Sequence, residues 1–349
     1  MDGVALILCE GVFGTGDGKT ANGLVRHTER YRIAGVLDSR LAGRDAGEVL
    51  AGTPNGIPIF ASFAEALEKA ADRPTHLVIG LAPEGGRLPD AYRKVVIEAL
   101  RAGIDVDSGL HQFLSNDPEL SKLAAENGAT IRDVRRTPPR DQLHFFTGAI
   151  NDVKAVRVAI LGTDCCCGKR TTTTLLTGEL NRTKTPTVLI GTGQTSWMQG
   201  ARYGILLDSL INDFVAGEIE HAIVEADRNE SPDVILVEGQ GALTHPAAPG
   251  GFEIMTSARP HGVILQHAPV RETYLDHPNE PIAPPEVHIQ AIESVFNSRV
   301  IAMAVNSEGI DPAKVDDQVA ELEHRYGIPC CDPIAQGPQR LIDAVRSLL

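Results

Sequence analysis

The chain has no apolar stretch near the length of about 18 residues that a membrane-spanning helix needs. It also has no excess of positive charge, since its formal net charge is −14. That balance argues against nucleic acid or an anionic membrane surface as the main partner. The first residues, Met1-Asp2-Gly3, are not basic, and the apolar run that follows is too short for a signal peptide. We therefore expect a cytoplasmic protein that binds neither nucleic acid nor membrane.

The chain also lacks any Cys-x-x-Cys pair. Its six cysteines include a triplet, Cys165 to Cys167, and a doublet, Cys330 and Cys331. Such neighbours are poorly spaced for a disulfide framework and do not form the usual zinc-binding pairs. We predict no metal site, and a reducing environment fits this cysteine usage.

What the sequence does contain is a regular alternation of short apolar runs and helical patterns. This alternation is typical of parallel α/β sheets. The first five strands are predicted at residues 4–9, 32–37, 57–60, 76–79 and 104–106, and the alternation restarts at Val156. Between them, residues 135–140 are basic and contain two prolines. We predict an α/β protein with a Rossmann-like domain over residues 1–140 and a P-loop NTPase-like parallel-sheet domain over residues 141–349, which carries the main ligand site. A proline-rich stretch at 276–285 is expected to be a surface loop.

The strongest functional signal follows the strand that begins at Val156. A loop bounded by glycines and followed by a lysine and a helix start points its backbone N–H groups at one spot, where they bind phosphate. We predict that these residues bind the phosphates of a cofactor: Gly162, Thr163, Asp164, Cys165, Cys166, Cys167, Gly168, Lys169, Arg170 and Thr171. The loop is one residue longer than the Walker pattern, and Arg170 stands where that pattern has the Mg²⁺-binding Ser or Thr. A glycine-rich turn with a surface lysine is the weaker alternative.

Polar residues also follow other strands of the second half. Glu238 ends an apolar strand, Gln194-Thr195-Ser196 follow a second strand, and His267 and Arg271 follow a third. In open parallel sheets, ligands bind at the carboxyl ends of the strands. Glu238 could therefore hold Mg²⁺ or accept a proton, Arg271 could bind a carboxylate, and His267 titrates near neutrality. A surface acid at a strand end is the weaker alternative for Glu238, whereas the other residues could equally be structural.

The first half contains a weaker candidate. A glycine-rich turn, residues 11–20, follows the first strand, and Asp38 ends the second. This layout resembles a dinucleotide-binding turn, but the glycine spacing departs from Gly-x-Gly-x-x-Gly. A turn without a ligand fits this segment as well as a phosphate site does.

Two resemblances follow from these motifs. The chain resembles dethiobiotin synthetase-type P-loop proteins in two motifs: Thr163-Asp164 before Gly168-Lys169, and Glu238-Gly239-Gln240-Gly241. With the segment 194–200 and Gln266-His267-x-Pro-x-Arg271 added, nearly the whole chain resembles a family catalogued as domain of unknown function 1611. That resemblance implies a Rossmann-like domain followed by a P-loop domain, and N-acetylation of D-glutamate with acetyl-CoA as the donor.

The site residues can be assigned to such an acetyl transfer. Glu238, Asp164 or His267 could be the base that deprotonates the amine, and Lys169 or the loop amides could stabilise the oxyanion. Gln194, Thr195, Ser196 and Arg271 could hold the carboxylates of a small acidic amino acid. Two alternatives stay open: an ATP- and Mg²⁺-dependent enzyme of the dethiobiotin synthetase type, and a nucleotide- or CoA-binding module without catalysis. We expect the protein to be a homo-oligomer.

Overall fold

The structure is a computed structural model that describes the backbone of residues 1–349 and the side chains of all of them except Glu84. The chain forms two compact units. The first consists of Met1–Thr137 and Gln194–Gly200, and the second of Pro138–Gly193 and Ala201–Leu349. The boundary was expected after residue 140, and the grouping of a short segment of the second half with the first unit was not predicted.

The first unit contains a six-stranded sheet in which all paired strands are parallel. Its strands are β1 (Gly3–Leu8), β2 (Tyr31–Leu37), β3 (Ile59–Phe60), β4 (His76–Ile79), β5 (Asp105–Ser108) and β6 (Ile131–Asp133). Their spatial order is β3-β2-β1-β4-β5-β6, which is the order of the Rossmann fold. The expected fold class is thus confirmed for this half.

Five helices connect these strands: α1 (Lys19–Arg26), α2 (Ala46–Ala51), α3 (Phe63–Lys69), α4 (Asp90–Arg101) and α5 (Pro118–Asn127). Two of them begin where capping residues predict. The Ser62 hydroxyl accepts a hydrogen bond from the Glu65 N–H at 3.2 Å, at the start of α3. Asp117 caps α5, and Gly128 ends it with a left-handed φ of 68°. These local signals fix helix ends because they satisfy backbone groups that the helix itself leaves unpaired.

The second unit contains a seven-stranded parallel sheet. Its strands are β7 (Val156–Gly162), β8 (Thr187–Gly191), β9 (Tyr203–Gly204), β10 (Val234–Glu238), β11 (Gly262–His267), β14 (Val300–Val305) and β15 (Cys330–Cys331). The order is β15-β14-β11-β7-β10-β8-β9. Strand β7, which leads into the glycine-bounded loop, therefore lies at the centre, between β11 and β10.

Helices cover both faces of this sheet. They are α6 (Lys169–Arg182), α8 (Asn212–Glu230), α9 (Gly251–Ala258), α10 (Pro285–Phe296), α11 (Val315–Tyr326) and α12 (Gln339–Arg346), while α7 (Gln194–Gln199) belongs to the first unit. One buried apolar cluster includes side chains of α8 to α11. A second cluster includes Leu176 and Leu180 of α6 and Leu341 and Val345 of α12. Two cores on opposite faces are the arrangement of a doubly wound α/β domain.

The prediction of a surface loop at residues 276–285 is wrong in part. Strand β12 (Thr273–Tyr274) pairs antiparallel with β13 (His277–Pro281) in a separate two-stranded ribbon. Pro278 and Pro281 are tolerated in β13 because a two-stranded ribbon has outer edges at which no N–H is required. Among the helices of the described residues, none combines the length and the apolar character needed to span a bilayer.

Candidate phosphate-binding site

The glycine-bounded loop connects the central strand β7 to helix α6. Strand β7 ends at Gly162 and α6 begins at Lys169. Two residues of the loop, Cys166 with φ 49° and Gly168 with φ 118°, have left-handed backbone conformations. The loop thus turns sharply into the N-terminus of a 14-residue helix, whose first N–H groups lack acceptors within the helix and can bind an anion. All ten residues predicted to bind cofactor lie in this one segment.

The Lys169 side chain is buried beside the loop. It is 7% exposed, and its Nζ donates a hydrogen bond to the Asp164 carbonyl oxygen at 2.6 Å. Two glycines flank its aliphatic stem, since a Cβ on either Gly162 or Gly239 would lie 3.0 Å from Lys169 Cδ. The two glycines thus let the lysine approach the loop closely. The charged end of Lys169 lies at the loop, as a phosphate-binding lysine requires.

The guanidinium group of Arg271 also binds the loop, through three hydrogen bonds. Its Nη1 donates to Asp164 Oδ2 at 3.0 Å and to the Cys165 carbonyl at 2.9 Å, and its Nη2 donates to the Cys166 carbonyl at 3.2 Å. Asp164 is fully buried, and its Oδ1 accepts the Cys165 N–H at 2.6 Å. The structure thus shows Arg271 bound to the loop and to Asp164. Its role as the ligand of a substrate carboxylate stays a prediction.

Glu238 lies at the carboxyl end of β10, in register with Ile160 of β7. It is 6% exposed, and its Oε2 accepts the N–H of Thr192 at 3.0 Å. Thr192 in turn donates its hydroxyl to the Glu238 carbonyl oxygen at 3.0 Å. The strand pairing thus places Glu238 beside Ile160, two residues before Gly162, where β7 ends and the loop begins.

On the opposite side of β7, His267 at the end of β11 contacts the loop. Its Nδ1 is 3.0 Å from the Thr163 hydroxyl. Burial lowers the pKa of His267 to about 4, so the ring is neutral at pH 7 and is a weak base there. Asn306, which directly follows β14, donates its side-chain N–H to the Cys167 carbonyl at 3.0 Å. Both residues therefore support the loop in this structure.

The other three residues predicted to bind substrate lie in α7 of the first unit. Gln194 Oε1 accepts from Arg135 Nη2 at 2.8 Å, and the hydroxyls of Thr195 and Thr20 are 2.9 Å apart. Ser196 is buried. The structure therefore groups these side chains with residues of the first unit, whereas Arg271 belongs to the second. Their contact with substrate stays a prediction.

His245 was not predicted as a site residue; it follows Glu238 by seven residues in the segment after β10. It is 4% exposed, and its Nδ1 accepts the backbone N–H groups of Ala247 and Ala248 at 3.2 and 3.1 Å. Its Nε2 lies 3.8 Å from Asp164 Oδ1. Asp164, Cys165 and His245 each offer one ligand atom, all within 4.8 Å of one another. In the sequence, the one signal that could have marked His245 as a site residue was its position after a strand that ends at the site.

In the glycine-rich turn of the first unit, two backbone N–H groups donate hydrogen bonds to side chains of the protein itself. Asp38 is fully buried, and its Oδ2 accepts the Phe13 N–H at 3.1 Å and a hydrogen bond from Arg40 Nη2 at 3.2 Å. Asn22 accepts the Gly14 N–H at 3.0 Å and donates to the Thr15 carbonyl at 2.9 Å. Of the two interpretations left open by the sequence, these contacts favour the turn without a ligand.

The chain is thus a two-domain α/β protein with a Rossmann-like unit and a P-loop unit. Family models agree with this division. One described as a domain of unknown function (DUF1611_C) P-loop domain matches residues 144–342. Another, a domain of unknown function (DUF1611_N) Rossmann-like domain, matches residues 39–137. The chain belongs to the DUF1611 family.

Similar proteins come from several bacteria. The chain is 31% identical to a D-glutamate N-acetyltransferase of Tritonibacter scottomollicae, over 80% of this chain and 83% of that protein. It is 25% identical to a protein of the same name from a Pseudoalteromonas species, over 76% of this chain and 79% of that protein. The crystal structure of a DUF1611 family protein from Anabaena variabilis superimposes with a TM-score of 0.90 at 31% identity, covering 99% of both chains.

Proposed function

We propose that the protein transfers the acetyl group of acetyl-CoA to the amino group of an acidic amino acid, with D-glutamate as the first substrate to test. The names of the two relatives support this activity. The observation that carries it in this chain is a phosphate loop in which Arg170 replaces the Mg²⁺-binding hydroxyl. Such a loop suits a ligand whose phosphates are held but not transferred.

Two of the four threonine hydroxyls that follow Arg170 support the same interpretation. Thr172 donates its hydroxyl to Gln266 Oε1 at 2.5 Å, and Thr173 donates its hydroxyl to the Lys169 carbonyl at 2.8 Å. Both are therefore used within the fold. CoA carries a pyrophosphate, which the loop N–H groups and the Lys169 ammonium would bind by charge and hydrogen bonds.

The acceptor must lose a proton before it can attack, because an ammonium group has no free electron pair and its pKa is about 8 or above. Glu238 is the base we assign. Asp164 is bound to Arg271, and His267 Nδ1 lies 3.0 Å from the Thr163 hydroxyl, so both support the loop, whereas Glu238 contacts Thr192 outside it. The free amine then attacks the thioester carbonyl carbon, and the carbonyl electrons move to oxygen. The tetrahedral intermediate expels CoA as a thiolate, and the nitrogen gives up its second proton to this thiolate or to water, which leaves the neutral amide.

The reaction itself is the first test. Purified protein is expected to release free CoA from acetyl-CoA when D-glutamate is present, without ATP or Mg²⁺. The rate should rise with pH and then level off, because the amine and its base must be deprotonated. Thiol release and mass spectrometry of the N-acetyl product measure the reaction, with L-glutamate as the matched control.

The same assay separates the alternative functions. Phosphate release from ATP-Mg²⁺ without CoA release would indicate the dethiobiotin synthetase-type reaction. Binding of acetyl-CoA without any turnover, under all these conditions, would indicate a binding module.

The role of Arg271 gives a second prediction. Because its guanidinium donates to Asp164 and to two loop carbonyls, we expect Arg271→Ala to loosen the loop and to raise the Kd of acetyl-CoA by about tenfold, the effect of losing one charged hydrogen bond of about 1.5 kcal/mol. Arg271→Lys should recover part of this affinity, since it keeps the charge but not the fork geometry. Isothermal titration with acetyl-CoA measures the change.

Arg182→Ala is a matched control, because Arg182 pairs with Glu179 at the far end of α6 and is 70% exposed. If Arg271→Ala instead raises only the KM for the acidic amino acid, Arg271 is the carboxylate ligand that the sequence suggested, and its contacts with the loop are secondary.

A further inference from the structure

The environment of His245 fixes which of its ring nitrogens carries the proton. Nδ1 accepts hydrogen bonds from the N–H groups of Ala247 and Ala248, so it must present its lone pair. A neutral imidazole with an accepting Nδ1 has its proton on Nε2. The Nε2–H group is buried and has no hydrogen-bond partner among the described residues. A buried donor without a partner is costly and calls for an explanation.

This tautomer argues against a metal ion at Asp164, Cys165 and His245. A metal-ligating imidazole nitrogen must give its lone pair to the metal, and its other nitrogen then normally carries a proton and donates it to an acceptor. At His245, a proton on Nδ1 would point at two N–H groups. The three side chains have the spacing of a metal site, but the hydrogen bonding of His245 does not suit one.

The His245 ring also stays neutral down to a lower pH than an ordinary histidine does. Burial lowers the pKa of His245, against the opposing effect of the Asp164 carboxylate. Of the other groups that act on it, His277 and Lys169 lower the pKa and Asp276 raises it. A neutral donor of this kind can polarise a carbonyl group without giving up its proton.

We infer that the Nε2–H of His245 donates a hydrogen bond to the carbonyl oxygen of the acetyl thioester and stabilises the oxyanion that forms during transfer. This rests on the proposed function. The nearby carboxylate of Asp164, whose Oδ1 lies 3.8 Å from Nε2, is paired with the Arg271 guanidinium at 3.0 Å. This pairing offsets its repulsion of the single charge of an oxyanion, whereas a phosphate dianion would be repelled more strongly. The carbonyl therefore suits this donor better than the phosphates of CoA do, and those remain with the loop and Lys169.

His245 transfers no proton in this step. The amine nitrogen forms a bond to the carbonyl carbon, the π electrons move to the oxygen that accepts the Nε2–H hydrogen bond, and they return as the bond to sulfur breaks. Because Nε2 is buried, the carbonyl reaches it only when the residues beside Asp164 shift. Two residues that donate to Asp164 are only partly buried. They are Arg271, whose side chain is 22% exposed and donates through Nη1, and Leu275, which donates through its backbone N–H.

Two conservative variants separate a catalytic role from a structural one. In His245→Asn, the side-chain carbonyl can replace Nδ1 as the acceptor for Ala247 and Ala248, but no donor remains at the position of Nε2. In His245→Gln, the longer side chain carries its amide nitrogen to that position. We therefore expect His245→Asn to lower kcat by about 10²–10³-fold, the usual effect of removing one oxyanion donor, with the Kd of acetyl-CoA unchanged. His245→Gln should recover part of kcat.

Full kcat in His245→Asn but not in His245→Gln would show that His245 only supports the backbone at Ala247 and Ala248. That result would overturn the inference. Equal thermal unfolding midpoints of both variants and the wild type control for folding.

A measurement without turnover keeps this inference distinct from the proposed function. Acetyl-CoA labelled with ¹³C at the acetyl carbonyl is bound to the protein without amino acid, and its carbonyl stretch is recorded by difference infrared spectroscopy. A shift to lower frequency in the wild type that is lost in His245→Asn supports the inference, even if no acetyl transfer is found. Acetyl transfer by the wild type with no such shift, and with His245→Asn fully active, overturns the inference and leaves the proposed function standing.

A titration with Co²⁺ tests the metal alternative directly. We expect no thiolate-to-cobalt absorption band in the wild type. A band that appears at one equivalent and is lost in Cys165→Ser would show that these side chains do hold a metal, and the donor role of His245 would then be wrong.

Discussion

Lys169→Ala is expected to raise the Kd of acetyl-CoA by at least about tenfold, and up to about 100-fold, because a charged hydrogen bond to phosphate contributes about 1.5–3 kcal/mol. The expectation follows from the place of the ammonium group at the loop, where Nζ already donates to the Asp164 carbonyl. Isothermal titration with acetyl-CoA, and KM where turnover is measurable, report the loss.

Lys154→Ala is the matched control, since Lys154 is an exposed lysine of the same unit, just before β7. Because Lys169 is buried, thermal unfolding must show that the variant remains folded. A folded Lys169→Ala protein that binds acetyl-CoA as the wild type does would refute the phosphate loop.

Glu238→Gln is expected to lower kcat by about 10²–10⁴-fold, the range for loss of a positioned general base. Glutamine has the same shape, and its carbonyl oxygen can still accept the Thr192 N–H that Glu238 Oε2 accepts at 3.0 Å. The Kd of acetyl-CoA should therefore stay near that of the wild type. Steady-state kinetics with D-glutamate between pH 6 and pH 10 provides the measurement.

If Glu238 is the base, the residual activity of the variant should rise with pH up to the pKa of the amine alone. Glu225→Gln, on the partly exposed surface of α8, controls for the loss of one carboxylate. Should Glu238→Gln retain full kcat, Asp164 becomes the carboxylate to test, in spite of its contact with Arg271.

Much of the fold could be predicted because it depends on local patterns. The buried central strands are largely apolar, with four consecutive apolar residues in β10 and one charged residue, Arg157, in β7. The capping residues Ser62 and Asp117 mark the starts of their helices. Strands β6, β9 and β15 were not predicted, because they have only two or three residues and no periodicity can show in so short a segment. Their pairing depends on the neighbouring strand rather than on their own composition.

The site was predictable where its residues are contiguous and not where they meet through the fold. The loop from Gly162 to Thr171 could be found as a motif. The contact of Arg271 with Asp164 joins residues 107 positions apart, and two of its other partners are backbone carbonyls, which no sequence pattern displays. His245 was missed for a related reason, because its protonation is fixed by two backbone N–H groups.

Helix α7 has a consequence for how this protein can change over evolution. The chain contributes Gln194–Gly200 to the first unit from within the sequence of the second. There Gln199 donates to the carbonyls of Gly23 and His27, both at 2.9 Å, and the guanidinium of Arg30 lies 3.8 Å from the centre of the Trp197 ring. A gene fragment that ends at residue 137 removes the hydrogen bonds that Gln199 donates to these carbonyls. One that begins at residue 138 encodes the helix without its partners. A single crossover between residues 137 and 138 therefore exchanges neither unit whole.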